Sequence, residues 1–417
     1  MTMCLAGACG SRQLSKDGGG RDAAATGGAG AGSDAAADAV PRAADTASDE
    51  VAADARTTAP ADAAPEDAPT VDAVASCEGD ACPRRAKAVA VNGNGPWQAC
   101  ALFTDGTVEC WVNGLTAGGP AGAPVLVDGL TGATAIAVGG SRGCAILAGG
   151  AVSCWTDMAG QGLTGAAVVP ELTGVTALSL GDLHSCALLD GGQPVCWGYN
   201  GQGELGNGAI SNEATTTPGP VEGLTNVTSI AVGEYHTCAS DSNGVARCWG
   251  QNDQGQLGFG PQDGFDSGYP HPLVVPGLAG VASVSARGGG TCALRVAGDV
   301  FCWGTPTTTP VHVAGIGAPR ALAVSTGWFG SCAVLADGHL ACWGGGSHGT
   351  LGDGMTTTSS NDAALIVPGL ANVVDVSASM RACAVAADGG VSCWGPRTYY
   401  STGITDDDLV PVPVAGL

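Results

Sequence analysis

Charge is scarce in this 417-residue chain. Only 13% of residues are charged, about half the roughly 25% of an average domain. Cations are scarcest: 15 Lys and Arg stand against 38 Asp and Glu, a formal net charge of −23. A nucleic-acid binder carries a basic patch, and there are too few cations here to build a large one. A coiled coil or long helical bundle would need far more Glu, Lys and Leu. Aromatic residues make up 5%, and none precedes Trp97. No run of 18 apolar residues offers a transmembrane helix. A Walker loop, a His-Glu-x-x-His pair and a nucleophile elbow are all missing. What is abundant is glycine, 70 residues, with 23 Pro and 18 Cys. The glycines have no three-residue period, which excludes collagen. The composition points to a turn-rich, all-β protein with an unusual number of cysteines.

The N-terminal part is a different material. Residues 17 to 86 are dominated by Ala, Asp, Gly, Pro, Ser and Thr. Such a segment cannot bury enough apolar surface to offset its chain entropy, so a disordered linker is expected. It is acidic, with 14 acidic and 7 basic residues through Arg85, and the remainder carries 24 and 8. Residues 1 to 16 open with MTMCLAGACG, small and apolar like the end of an export signal, without its charged n-region or full apolar stretch. These ten residues resemble the cleavage region of a bacterial lipoprotein. Cys9 is then the lipidation candidate and Cys4 the weaker one; plain secretion and an unrelated N-terminus remain the alternatives.

Fourteen cysteines fall into seven pairs of identical spacing: Cys100 and Cys110, Cys144 and Cys154, Cys186 and Cys196, Cys238 and Cys248, Cys292 and Cys302, Cys332 and Cys342, Cys383 and Cys393. Trp follows each second Cys, at 111, 155, 197, 249, 303, 343 and 394, a uniformity expected of core packing. Successive pairs lie 44, 42, 52, 54, 40 and 51 residues apart. Periods of this size signal a solenoid, a propeller or an array.

Each pair frames a hairpin. Between Cys100 and Cys110 two β-prone runs flank Asp105-Gly106. A three-residue loop of Thr104, Asp105 and Gly106 places the glycine in the left-handed region and sets Phe103 opposite Thr107 and Cys100 opposite Cys110. Directly opposed residues of a non-hydrogen-bonded pair have Cα atoms about 4.5 Å apart, within disulfide reach. A spacing of ten is wrong for zinc, which favours Cys-x2-4-Cys with His. A catalytic Cys would stand alone beside a His. Seven cross-strand disulfides are therefore expected, with Cys77 and Cys82 as an eighth bridge, and with them an oxidising compartment.

Two more β-prone segments complete each unit. One is apolar, as in Thr134–Gly139 or Thr228–Gly233; the other is a Pro/Val/Gly/Leu segment, as in Pro124–Leu130 or Leu365–Leu370. Four short strands repeated seven times make a β-propeller. The first unit starts near Lys87 without a Pro/Val/Gly/Leu strand, and the chain ends with one, Leu409–Leu417. That C-terminal strand is expected to complete the first blade and close the ring, so that residues 87 to 417 form the propeller.

Three units carry a longer pattern: His184-Ser-Cys…Cys196-Trp-Gly-Tyr-Asn-Gly-Gln-Gly203-Glu-Leu-Gly206, His236-Thr-Cys…Cys248-Trp-Gly-Gln-Asn-Asp-Gln-Gly255-Gln-Leu-Gly258, and Cys342-Trp-Gly…Gly349-Thr-Leu-Gly352. This resembles the RCC1 (regulator of chromosome condensation 1) repeat, here as an exported bacterial variant with a Cys pair in each blade. The resemblance implies an all-β, seven-bladed propeller, preceded in this chain by the disordered linker and closed by strands from both termini. It also implies a face that binds another macromolecule. Fold alone does not transfer an activity, and chromatin binding does not suit so acidic a chain.

The expected binding face follows from the repeat. The loop before each first Cys recurs seven times and must form a ring. Three positions before the cysteines stand Trp97, Ser141, Leu183, Tyr235, Gly289, Phe329 and Met380, with Trp328 adjacent. The position varies and is often large and apolar, as a partner site would be; packing between blades is the competing reading. His184 and His236 are equivalent repeat positions expected to bond neighbouring backbone. Asp406-Asp407-Asp408 is expected to be a solvated acidic turn rather than a Ca²⁺ site.

These readings predict a non-enzymatic, monomeric protein, exported and located as an outer-membrane lipoprotein, at the cell surface or outside the cell. It would bind a protein or surface ligand through a propeller face, with no cofactor, metal or nucleic acid, and touch membrane only through an N-terminal lipid. A structural display module without a ligand and a propeller hydrolase or lyase are the alternatives.

Overall fold

The computed structural model describes residues 84–92, 98–112, 123–156, 163, 165–260, 268–356, 360–396 and 407–417. The chain divides into two units, Met1–Ala75 and Ser76–Leu417, and every described residue belongs to the second. Residues 17–83 of the expected linker, the Cys77–Cys82 bridge, Cys4, Cys9 and Trp97 lie outside the described residues.

Seven four-stranded antiparallel sheets follow one another along the chain. Blade 1 is β1 (Ala86–Val91), β2 (Gln98–Phe103), β3 (Val108–Val112) and β4 (Val125–Leu126). Blade 2 is β5–β8 (Ala133–Gly139, Arg142–Leu147, Val152–Thr156, Ala167–Val169). Blade 3 is β9–β12 (Val175–Leu180, His184–Leu189, Gln193–Asn200, Ser211–Pro220). Blade 4 is β13–β16 (Val227–Val232, His236–Asp241, Ala246–Gly250, Tyr269–Val274). Blade 5 is β17–β20 (Val281–Arg287, Gly290–Arg295, Val300–Gly304, Val311–His312). Blade 6 is β21–β24 (Ala321–Thr326, Gly330–Leu335, Leu340–Gly345, Ser360–Ile366). Blade 7 is β25–β28 (Val373–Ala378, Ala382–Ala386, Val391–Gly395, Asp408–Pro413). The chain is an all-β, seven-bladed propeller whose first strands contact one another around the axis.

The hairpin register agrees with the spacing. Cys100 pairs with Cys110, and the amide of Phe103 donates to the Thr107 carbonyl at 3.0 Å. All seven cross-strand disulfides are formed. Cys100 joins Cys110, Cys144 joins Cys154, Cys186 joins Cys196 and Cys238 joins Cys248. Cys292 joins Cys302, Cys332 joins Cys342 and Cys383 joins Cys393. The linked Cα atoms lie 4.0–4.1 Å apart, closer than the expected spacing of an unlinked pair. Burial of the second cysteine is uneven: Cys154 and Cys302 are half-buried, whereas Cys393 is buried. A glycine four residues before each second Cys holds the turn at positive φ, between +74° at Gly244 and +91° at Gly298. Its missing side chain matters as much as its φ. A Cβ on Gly150 would lie 2.8 Å from Gly174 Cα, and one on Gly389 would lie 2.6 Å from Arg85 Cβ. Each turn is pressed against the segment leading into a first strand.

The ring closes differently from the expectation. The Pro/Val/Gly/Leu segment pairs with the strand before it, as β4 does with β3, so it ends a blade instead of beginning one. The second cysteines therefore have a partner on each side: Cys154 faces Ala167, Cys302 faces Val311 and Cys393 faces Val412 across the outer strand pair. The C-terminal strand β28 accordingly pairs with β27 and completes blade 7. Among the described residues no strand is exchanged between the termini. The reason is local: the segment lies antiparallel to its predecessor, and the turn after it then crosses to the next blade. Val127 and Leu130 of such a turn are buried between blades 1 and 2. Just before the expected start at Lys87, Arg84 already bridges Glu109 at 2.9 Å and lies 3.5 Å over the Phe103 ring.

The core is divided among the seams. Seven clusters of buried residues each join two neighbouring blades, including blade 7 with blade 1. The tryptophans after the second cysteines belong to them; six are buried, and Trp197 is half-buried. Trp249, Trp303 and Trp394 donate their indole N–H to the carbonyls of Glu204, Gln256 and Thr350 in the preceding blade.

A second set of ties runs between the first strands. The hydroxyls of Ser179, Ser229, Ser285, Ser325 and Ser377 accept backbone N–H groups of the following blade at 2.9–3.1 Å. Each is worth about 0.5–1.5 kcal/mol. Ser179, Ser285, Ser325 and Ser377 face the first Cys of their blades, whereas Ser229 lies two residues earlier; blades 1, 2 and 4 carry Ala90, Ala137 and Ala231 opposite the first Cys, and an alanine cannot make this tie.

Candidate functional site at the axial mouth

The turn after each first strand lies at one end of the axis, where the first strands converge. It is the loop before the first Cys, singled out above. Leu183 is exposed there, and Tyr235, Trp328 and Phe329 are partly exposed. Met380 is not part of that surface: it is only 4% exposed.

Apart from Trp328, which the sequence already singled out, the side chains that meet at the axis sit one or two positions before the ring position. A shallow depression, too small to admit a water molecule, is lined by Gly181, Asp182, Gly233, Glu234, Arg287, Gly288 and Trp328 of blades 3 to 6. Asp182, Glu234 and Arg287 were not legible as site residues. Their repeat equivalents are Gly, Ser, Ala or Trp, so no pattern marks them. Their one signal is that charge appears inside an otherwise apolar repeat segment.

Arg287, the last residue of β17, organises this mouth. Only 9% exposed, it donates from Nη2 to Asn92 Oδ1 at 2.9 Å in blade 1 and from Nε to Ser379 Oγ at 3.2 Å in blade 7. Its Nη2 lies 4.0 Å from Asp182 Oδ1 of blade 3. One side chain thus connects four blades across the axis. Asp182 also accepts the Gly140 amide at 3.0 Å, and Asn92 donates to the Gly140 carbonyl, so blades 1, 2 and 3 join the same network. Burial holds the Arg287 pKa below its usual value, while Asp182 and Glu234 oppose that shift. Glu234 is pushed up, first by burial and then by Asp182 and Asp253, with Arg287 working against them.

Perturbed carboxyls usually flag a site, but the two most perturbed here lie in seams. Glu204, fully buried between blades 3 and 4, is raised to about 7 by desolvation. Asp375, between blades 7 and 1, is raised to about 6 by the same cause. Both lie off the lining of the depression and hold blades together. His184 and His236 are structural too, though they bond differently from the expectation. Each Nε2 lies 2.8 Å from a threonine hydroxyl of the next blade, Thr237 and Thr291. Those hydroxyls donate to the Glu204 and Gln256 carbonyls, so the imidazoles are Nε2–H tautomers donating to threonine. Burial lowers both histidines to about 3. The acidic turn is not simply solvated. Asp408 is buried against Arg381 at 2.6 Å and Asp407 meets His348 at 2.9 Å; Asp406 lies outside the described residues. Among the described residues no cluster of three or more metal-ligating side chains occurs.

Models of the regulator of chromosome condensation (RCC1) repeat match residues 175–204, 227–256 and 196–240. Residues 175–256 therefore match the RCC1 repeat. Among its relatives, the ultraviolet-B receptor UVR8 of Arabidopsis thaliana is 28% identical over 234 residues, covering 52% of each chain. The human E3 ubiquitin-protein ligase HERC2 is 26% identical over 246 residues, covering 53% of this chain and 5% of its own. The chain therefore spans about half of the first relative and a small part of the second. Among solved structures, yeast RCC1 (Prp20) superposes with a TM-score of 0.60 at 20% identity, over 70% of this chain and 78% of that one. The likeness is one of fold. Every blade of this propeller carries a disulfide, which fits an oxidising environment.

Proposed function

We propose that this RCC1-like propeller is a non-enzymatic binding protein, exported and held at the cell surface or released, that engages a protein partner through the axial mouth. The observation that carries this reading is the convergence of Leu183, Tyr235, Trp328 and Phe329 on one face, around a depression with its own charged residues. Partly exposed aromatics beside polar groups are the composition of an interface centre. RCC1-like propellers are a fold commonly used for protein binding, which supports the same conclusion. The seven disulfides support export. Lipidation at Cys9 would then tether the propeller to a membrane through its N-terminal segment, with no other membrane contact.

A photo-crosslinking residue at position 183 or 329, compared with one at Val168 on the outer strand of blade 2, tests the reading. Adducts formed by the mouth positions alone support it. Adducts at Val168 alone, or at none of the three, overturn it. Mass spectrometry of the mature N-terminus tests Cys9: a diacylglyceryl adduct is expected, and an unmodified Cys9 rules the tether out.

A further inference from the structure

The seams of the ring are not fastened alike. A first-strand side chain accepts an amide of the following blade from one of two places. One faces the first Cys, as with Ser179, Ser285, Ser325 and Ser377. The other lies two residues earlier, as with Ser229 and Asp375. Blade 1 has Ala88 and Ala90 at these places, and blade 2 has Ala135 and Ala137. Neither seam beside blade 2 therefore has such an acceptor. Towards blade 3 other contacts replace it. Arg142 Nη2 donates to Ser185 Oγ at 2.7 Å, and the Gly140 amide donates to Asp182 at 3.0 Å. The backbones also touch there: a Cβ on Gly139 would lie 2.5 Å from the Leu180 carbonyl oxygen.

Towards blade 1 the usual ties are missing. Gly143 stands where Thr237 and Thr291 carry the hydroxyls that join blades 3, 4 and 5. The Trp155 indole N–H is buried without a hydrogen-bond partner, whereas Trp249, Trp303 and Trp394 donate to the preceding blade. An apolar cluster fills this seam, and polar ties stand at its two ends. At the hairpin-turn end the Ala133 amide donates to the Gly106 carbonyl at 3.0 Å, a bond that recurs from Val175 to Gly150 and from Val227 to Gly192. At the mouth, Asn92 Nδ2 donates to the Gly140 carbonyl. Asn92 is buried, and its Oδ1 accepts Arg287 Nη2 at 2.9 Å, which turns its Nδ2 to Gly140. In a ring of seven, blade 5 lies across the axis from the seam between blades 1 and 2. Arg287 thus braces that seam from the far side.

We propose that the ring opens at the seam between blades 1 and 2, hinged at its Gly106–Ala133 end, and that Arg287 is the positioning residue that keeps the Asn92 latch shut at the mouth. Local opening starts where the fewest ties must break. Blade 2 moves with blade 3, to which Gly140 and Arg142 bind it. An Asn92 side chain no longer held by Arg287 is free to turn away from the Gly140 carbonyl, so a residue of blade 5 controls a seam it does not line. Opening parts the turn after β1 from the turn after β5 and widens the mouth. The inference holds whatever the mouth binds.

Amide hydrogen exchange of the full chain, with its disulfides intact and read by mass spectrometry, follows the opening of each first strand. In the wild type, β5 is expected to exchange faster than β13. Arg287→Gln should speed exchange of β5 about tenfold and change that of β13 less than about twofold. Asn92→Ala should act alike, with no further gain when the two are combined. Ala90→Ser supplies the missing acceptor for the Val138 amide, which holds the register position of Val232, and should slow exchange of β5 about threefold. Equal acceleration of all seven first strands by Arg287→Gln would make Arg287 a general stabiliser and overturn the latch. Unchanged exchange of β5 in Ala90→Ser would overturn the weak seam, and this variant decides alone if Arg287→Gln does not fold.

Discussion

The Asp375 carboxylate accepts a hydrogen bond at 2.8 Å from the amide of Val89, 286 residues earlier in the chain. Beside it, Ser377 accepts the Val91 amide at 3.0 Å. These two bonds and the blade 7–blade 1 core cluster close the ring without an exchanged strand. In the four other seams with such a tie, a single serine accepts the first-strand amide; among the described residues, only this seam adds a carboxylate to it.

Asp375 should therefore make closure pH-sensitive. Its pKa is raised to about 6 from an ordinary 3.8, chiefly by burial. A raised folded pKa means the fold favours the protonated form, so this contribution is full below 3.8 and lost as pH rises through 6. Asp375→Asn keeps an acceptor for Val89 and carries no charge. Its melting temperature should match wild type near pH 4 and exceed it at pH 7. Asp375→Ala should fall below Asp375→Asn at both. Calorimetry across that range would show it, and identical pH profiles for wild type and Asp375→Asn would count against it.

His184 and His236 act in the opposite direction. Burial depresses both to about 3 from 6.5. The unfolded chain binds protons that the fold refuses, so their contribution is full above pH 6.5 and lost as pH falls toward 3. His236→Gln, whose amide can still donate to Thr291, should move the acid-unfolding midpoint to lower pH. An unmoved midpoint would contradict the buried neutral assignment.

Two adjacent glycines separate backbone strain from crowding. Gly149 and Gly150 share one turn, at φ +89° and +79°. A Cβ on Gly149 meets nothing within 4 Å, whereas one on Gly150 would lie 2.8 Å from the Gly174 Cα. Gly149→Ala should cost about 1 kcal/mol, from left-handed strain alone. Gly150→Ala should cost at least about 2 kcal/mol more, since backbone must move. Urea unfolding of the two variants measures the difference.

The disulfides can be counted and removed. Mass spectrometry without reductant should show at least seven links, including Cys144 to Cys154, Cys292 to Cys302 and Cys383 to Cys393. Replacing Cys186 and Cys196 together by serine should cost about 2–3 kcal/mol in the loop-entropy account. Chemical denaturation checks that value, and free thiols at these positions in protein isolated under alkylation would contradict the compartment they imply.

The repeat spacing, the hairpin turn and the opposed cysteines were legible in the sequence because each depends on residues close together in the chain. The blade count followed, since seven equal units of this size have few ways to bury their faces. Strand grouping was not legible: whether Val125–Leu126 belongs to the hairpin before it or the strand after it depends on hydrogen bonds that composition does not mark. The convergence of the seven loops was also readable, because equivalent loops of a ring must meet. The charged residues at their meeting point were not. Asp182, Glu234 and Arg287 come from different blades, and Arg287 meets Asn92 195 residues away in the chain. Met380 and Phe329 hold equivalent repeat positions, yet one is buried and the other partly exposed. Local chemistry, repeated seven times, determined the blade. The axis exists only when seven blades meet, and there Arg287 reaches Asn92 and Ser379 of other blades, contacts that no local pattern encodes.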